Sequence, residues 1–260
     1  MEMSTLSEQL NSAASFFITG IKVDFTNYDT IVDLIDNAIK QEEKFIINYV
    51  NAYSIVVLNK DDDFRTSLKA SNLIHSDGVG IWLALKILHK WKSPVRFNWT
   101  DCSFNFLRTC EEKEWKIFFL GSTEKVLKKA KGNLRKKFPH LKLMGSLNGY
   151  ERLNDKSLVE TINRLNLDIL YVGLGTPKQE IWIYNNAPNL NCKVIQSVGD
   201  LFNLFAEKKI RGPKLFQKIG LEWFFRLLRH PVKYFNRYTI GIPRFFIILI
   251  KEFLNKKSGK

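Results

Sequence analysis

"YVGLGTPKQE", Tyr171 to Glu180, reads as the end of an apolar strand, a Gly-x-Gly turn and a helix opened by Pro177. Gly173 and Gly175 let the backbone turn sharply and leave room beside it. Pro177 suits a first helical position, and the N–H groups at a helix start make a site for an anion or polar group. Thr176, Lys178, Gln179 and Glu180 then cluster at the carboxyl end of a buried strand, where open α/β sheets bind ligands. Lys178 and Gln179 are expected to face that crevice. A nicotinamide site is disfavoured, because Lys178 stands where G-x-G-x-x-G needs its third glycine. Gly-x-Gly by itself marks no more than a tight turn.

Working outward, the same strand-then-helix alternation recurs. Strand-like runs are "KFIINYV" (44–50), "NLIHS" (72–76), "KIFFLG" (116–121), "DILYVGLG" (168–175) and "KVIQSVG" (193–199). Most are continuous apolar runs, as parallel strands covered on both faces require. Between them, "TNYDTIVDLIDNAIK" spaces Ile31, Leu34, Ile35, Ala38 and Ile39 on one helical face behind Thr26 or Asn27 as N-cap. "STEKVLKKAKGNLRKKF" places Val126, Leu127, Ala130 and Leu134 opposite a lysine face. The expectation is a Rossmann-like α/β fold, a mostly parallel sheet with helices on both faces. Strand signals stop near Arg211. The expected division is a core over residues 1–210 and a helical, basic, aromatic-rich appendage over 211–260.

Charge follows that division. The chain of 260 residues carries a formal +14, and its last fifty residues supply +10 of it, with 12 Lys and Arg against 2 Asp and Glu. Such a segment calls for an anionic partner. Its "GLEWFFRLLRHPVKYFNRY" sets Glu222, Arg226, Arg229 and Lys233 apart from Leu221, Phe224, Phe225 and Leu228. Arginines mixed with bulky aromatics suit a membrane interface. "GIPRFFIILIKEFLNKK" adds a second apolar and basic stretch, but six strongly apolar residues fall far short of the ~20 that cross a bilayer. The N-terminus lacks a signal-peptide pattern. Three cysteines without a C-x-x-C pair argue against a disulfide scaffold or zinc cluster. A cytoplasmic protein, peripheral on the membrane's inner face, is expected.

Three further stretches offer chemistry. In "HSDGVGIW" Asp77 ends a strand between glycines, where a carboxylate can take a proton from a substrate hydroxyl; the competing reading is an N-cap for the next helix, and His75 reads as structural. In "VRFNWTDCSF" Asp101 is expected to cap the helix from Cys102, with Arg96 in the loop before it. Asp61–Asp63 contains a D-x-D, which can hold a divalent metal, but acids at a helix start are the better reading. No metal site and no cofactor are expected.

In order, "NAYSIVVLNKDDDFRTSL", "DGVG", "VRFNWTD", "FFLGS", "DILYVGLGTPKQE", "VGDLFNLFAEKKIRGP" and "GLEWFFRLLRHPVKYFNRY" resemble the WecG/TagA/CpsF family, glycosyltransferase family 26. The resemblance spans about Val23 to Tyr238. It implies an inverting, metal-independent bacterial enzyme that moves a sugar, N-acetylmannosamine favoured, from a UDP-sugar to a polyprenyl-pyrophosphate-linked glycan at the membrane. Cell-wall polymer, capsule or exopolysaccharide would be the product. It implies Asp77 as general base, and Asn51 and Gln179 at the sugar and acceptor site, with Arg96 and Asp101 in the pocket. Gly121, Gly173, Gly175, Lys178 and Glu180 fall in its substrate-binding stretches. Arg211, Arg226 and Arg237 would meet pyrophosphate charge. A homo-oligomer away from the membrane is compatible with it. Three positions depart from the family pattern: Tyr49 where Thr is frequent, Trp99 where Gly is usual, and Glu207 near a common Gly. Tyr49 and Trp99 would reshape the sugar pocket.

Two other classes stay open. A nucleic-acid binder would use the basic segment, but should intersperse its charges with polar residues; here there are ten aromatics and "FFIILI", and no nucleic-acid partner is expected. A non-catalytic enhancer of another polysaccharide transferase is opposed by Asp77 and Gln179.

Overall fold

The computed structural model describes residues 14–91, 98–152, 157–208, 212–213, 216 and 221–258. Eight strands form one sheet in the order β1-β2-β4-β3-β8-β7-β5-β6. They are β1 (Ala14–Ile18), β2 (Ile21–Phe25), β3 (Phe45–Val50), β4 (Leu73–Ser76), β5 (Ile117–Gly121), β6 (Leu143–Leu147), β7 (Ile169–Gly173) and β8 (Val194–Ser197). Only β1 is antiparallel to its neighbour. The rest pair in parallel, so the turns leaving β3, β4, β5, β7 and β8 gather along one edge. β3 and β8, far apart in the chain, lie side by side in the middle. That is where a doubly wound sheet opens a crevice.

All five expected strands are present, and β5 and β7 are buried throughout. Helix α1 (Tyr28–Lys40) buries the expected Ile31, Leu34, Ile35 and Ala38, with the Asn27 side chain accepting from Thr30 N at 2.9 Å. α2 (Ala52–Leu58), α3 (Asp62–Lys69) and α4 (Val79–His89) follow on the β3–β4 side. α5 (Trp99–Glu112) and α6 (Glu124–Lys137) flank β5, and the short α7 (Gly149–Arg152) and α8 (Ser157–Asn163) precede β7. Helices α9 (Lys178–Asn186) and α10 (Leu201–Phe205) follow β7 and β8. Apolar side chains of α1, α5, α6 and α10 pack on one part of the core, and those of α8 and α9 on another.

The acids of the D-x-D stretch start a helix. Asp61 caps α3 by accepting from Phe64 N at 2.8 Å, with Asp62 and Asp63 in the first turn. Asp101 is not the cap of its helix: α5 begins three residues earlier than expected, and Asn98 caps it by accepting from Thr100 N at 2.9 Å. Asp101 instead lies in the first turn, on the exposed side.

The C-terminal segment is helical as expected: α11 (Glu222–Arg229), α12 (Pro231–Phe235), a π-helical turn (Asn236–Ile240) and α13 (Gly241–Lys257). α13 packs back onto α2 and α4. Phe245 and Leu249, one turn apart, are 1% exposed and join Ile18, Ile21, Val50, Ile55 and Ile81 in a core cluster. Glu252 accepts from the Thr19 backbone N–H in the β1–β2 turn at 3.0 Å. No described strand follows the expected boundary near 211, while a core cluster is completed from beyond it.

Candidate active site

Register brings the first pair of candidates together. Val50 and Ser76 are partners on adjacent strands, so Asn51 and Asp77 leave the sheet side by side, with Asp77 N donating to Val50 O at 2.8 Å. Asn51 caps α2: its Oδ1 accepts from Tyr53 N and Ser54 N at 3.0 and 3.1 Å. This leaves its amide nitrogen as the group it can offer a ligand. Asp77 does not cap α4. Gly78 takes the N-cap position at φ +83°, a conformation that favours glycine, and the carboxylate is left at the crevice.

Close approach dictates the glycines on the other side. A Cβ at Gly121 (φ +128°) would sit 2.3 Å from Gly173 O, so the end of β5 approaches β7 this closely only because residue 121 is glycine; a Cβ at Gly173 would meet the Phe202 ring at 2.6 Å. Gly175 (φ +81°) has open space where its Cβ would be. Lys178 is exposed at the start of α9. Gln179, expected to face the crevice, is instead fully buried. Its Oε1 accepts from Gly175 N at 3.2 Å and Gly199 N at 3.0 Å. Its Nε2 donates to Tyr49 Oη at 3.3 Å and Glu180 Oε1 at 2.8 Å. A buried amide demands partners for each polar atom, and here it finds them by tying the turns after β7 and β8 to β3.

The sequence placed Thr176 in the polar cluster without its role in that tie, and gave no sign of Gly199. Thr176 Oγ1 donates to Glu180 Oε1 at 2.9 Å. A Cβ at Gly199 would lie 2.4 Å from Tyr49 Oη, so the large side chain at position 49 needs glycine opposite it. Tyr49 reaches the floor of the crevice. Burial, then Glu180 and Asp77, push its phenol well above the ordinary tyrosine range. Glu180 is fully buried too, and burial pushes its carboxyl up to about 7 against the hydrogen bonds that favour the anion. His75 lies between Tyr49 and Trp99, ring centroids 6.0 and 6.1 Å away. Burial pushes its pKa down, so it is neutral packing, as expected. Trp99 is buried against Phe106, a core position more than a pocket wall.

The C-terminal segment closes the site from outside the sheet. Arg226 is held by Glu222 at 3.2 Å and bonded to Tyr238. Burial works against its charge, yet Tyr238, Glu222, Asp77 and Tyr234 together raise its pKa. Asp77 acts on it from the core side. The Arg237 guanidinium lies 4.8 Å from the Tyr53 ring centroid, stacked on the residue that Asn51 caps, in cation–π range. Two of the three expected arginines thus meet the crevice mouth; Arg211, like Arg96, lies outside the described residues.

The ensemble is a crevice with one carboxylate at its edge, a hydrogen-bonded floor and cations above it, fit for a polar, anionic ligand. The family model described as "Glycosyl transferase WecG/TagA/CpsF family" matches residues 16–259. The chain belongs to that family. Its curated relatives include a Bacillus subtilis (strain 168) protein, 28% identical over 235 residues, covering 90% of each chain. That protein is named N-acetylglucosaminyldiphosphoundecaprenol N-acetyl-beta-D-mannosaminyltransferase. A Staphylococcus aureus (strain MRSA252) protein of the same name is 27% identical over 231 residues, 86% of this chain and 88% of its own. In this WecG/TagA/CpsF member no helix among the described residues is long and apolar enough to cross a membrane.

Proposed function

We propose that this chain is an inverting glycosyltransferase that moves N-acetylmannosamine from a UDP-linked donor to a lipid-diphosphate-linked N-acetylglucosamine. The observation that carries the reading is the placement of Asp77. Its carboxylate stands at the carboxyl edge of the sheet, spared from capping by Gly78, with Arg226 brought near it from the C-terminal segment. Acceptor specificity follows the relatives' names.

In this reading Asp77 takes the proton of the acceptor hydroxyl as that oxygen attacks the sugar's anomeric carbon. The bond to the UDP oxygen breaks, and configuration inverts in the single displacement. Arg226 and Arg237 offset the charge of the departing or acceptor diphosphate, an electrostatic role that is worth most where water is excluded. Asn51 offers its amide nitrogen to the sugar. Gln179 acts from below, by holding the floor.

The product would be an intermediate of a cell-wall polymer, with capsule or exopolysaccharide as related outcomes. The protein would work while lying on the inner face of the membrane. Phe224, Leu228, Val232, Phe235 and Ile240 are exposed along α11 to the π turn, beside Arg229 and Arg244. Apolar side chains and cations on one segment suit an anionic bilayer surface, where each Lys or Arg adds about 1 kcal/mol. Asp77→Asn keeps the shape and removes the base. Transfer from UDP-N-acetylmannosamine should fall by about 10²–10⁴-fold, while UDP binding measured by calorimetry stays near wild type. Activity within a few-fold of wild type would remove Asp77 from this role.

A further inference from the structure

We propose that Glu180 is a positioning residue for the transfer reaction, closing a ring of hydrogen bonds that holds the turns after β7 and β8, and with them the floor of the crevice, in one shape. The inference rests on the transferase reading for its link to catalysis. Four groups make the ring. Gln179 Nε2 donates to both Tyr49 Oη and Glu180 Oε1. Thr176 Oγ1 donates to Glu180 Oε1, so the Tyr49 hydroxyl, also bonded to Thr176, donates its own proton there. Every donor runs toward one oxygen. The other, Oε2, is buried and accepts no hydrogen bond among the described residues.

An anion with a bare, buried oxygen is costly without a cation beside it. None is present among the described residues: no Lys, Arg or His makes an ion pair with Glu180. On its own helix Lys178 is exposed. From α3, which packs on α9, Asp62, Asp63 and Lys69 are exposed. Arg65 of α3 donates to the carbonyls of Thr19 and Leu58. β7 and β8 offer no charged residue, and Tyr49 of β3 is itself neutral. Asp77 acts on Tyr49 in the same direction as Glu180, and a negative charge there would oppose a second one. The ring therefore holds together with Glu180 as the neutral acid, its proton on Oε2. Loss of that proton leaves a buried anion with the ring's donors on one oxygen and none on the other. The carboxylate then turns out of the ring, the Gln179 amide loses its anchor, and its ties to Gly175 N and Gly199 N loosen.

The full-length protein tests this in two ways. The first needs no substrate: hydrogen-exchange protection of the Gly175 and Gly199 amides, corrected for intrinsic rates, from pH 6 to pH 8.5. Protection should fall roughly tenfold in the wild type and stay level in Glu180→Gln, which cannot ionise. The second is KM for UDP-N-acetylmannosamine over the same range. It should rise several-fold with pH in the wild type, with a flatter profile in Glu180→Gln, while kcat changes less. The pH dependence, not the absolute level, is read. Parallel profiles for wild type and Glu180→Gln in exchange would overturn the ring. Level exchange in the variant with unchanged KM profiles would overturn its link to catalysis. A wild type that turns over no UDP-sugar would count against the transferase reading alone, because exchange still reads the ring.

Discussion

The two sides of the crevice are held by different physics. On the β7–β8 side, one buried amide and one buried acid lock two turns to β3 through hydrogen bonds with no slack. On the C-terminal side, α11 has no fully buried residue; its Arg226 is placed by ion pairing with Glu222, and Arg237 of the π turn by stacking on Tyr53. The difference suits two tasks. A floor that must present fixed N–H groups and space for a sugar gains from a rigid network. In the proposed transferase, a wall that admits a lipid-linked acceptor would gain from an element that can be seated on a membrane and on the protein together. What joins them is α13, whose Phe245 and Leu249 complete the core while Ile247, Ile250 and Leu254 stay exposed.

That joint is the most sensitive place to break the comparison. Phe245→Ala should lower unfolding free energy by about 3–5 kcal/mol, as large-to-small changes in cores do, read from urea denaturation. A change under 1 kcal/mol would mean that α13 is a surface strap, and that the C-terminal segment is independent of the core. Truncation before residue 211 removes the same contacts and should expose Ile18, Ile21 and Ile55.

The rigid side can be sharpened by pH. Burial raises the Glu180 carboxyl from 4.5 to about 7, so the folded state holds a proton that the unfolded state has released between those values. Stability is therefore lost as pH rises from about 4.5 to 7, then levels off. Glu180→Gln should remove that slope, a relative gain on the order of 3 kcal/mol above pH 7 and none below pH 4.5. Thermal denaturation at several pH values reads it, and equal slopes for variant and wild type would contradict the buried-acid account.

The surface side should respond least. Val232 is 95% exposed and can change without touching the core. Val232→Glu should weaken binding to anionic liposomes by about 1–3 kcal/mol, from lost apolar burial and added like charge, and leave the urea midpoint alone. Unchanged sedimentation with liposomes would place the membrane contact elsewhere.

The parts of this arrangement legible in sequence are those set by local pattern. The five central strands stand out because strands buried on both faces are mostly apolar. The β1–β2 hairpin does not, since its Thr19-Gly20 turn takes φ of +51° and +77° without the Asn-Gly pair that announces such turns. β6 escapes because it is half-exposed and carries a glycine in a short run. In the site, Asp77 could be read as a base or a cap until Gly78 proved to occupy the cap. Asn98 takes the cap expected of Asp101 for the same reason: a boundary shift of a few residues reassigns a side chain. Gln179 turns inward because two glycine N–H groups from separate turns converge on it, a fact of tertiary structure. "FFIILI" looks lipid-facing in isolation, and only packing against α2 and α4 selects Phe245 and Leu249 for the interior.

The central claim is that core and C-terminal segment form a single active site. Arg226→Ala in the full-length chain, assayed with UDP-N-acetylmannosamine and a short, water-soluble diphosphate-linked acceptor, tests it without any membrane. The account predicts a loss in kcat/KM on the order of 10²-fold, the scale for removing one charge-stabilising group, with the urea midpoint within experimental reach of wild type. Turnover of the soluble acceptor at the wild-type rate would contradict it, leaving the segment as an anchor and Asp77 without its cation.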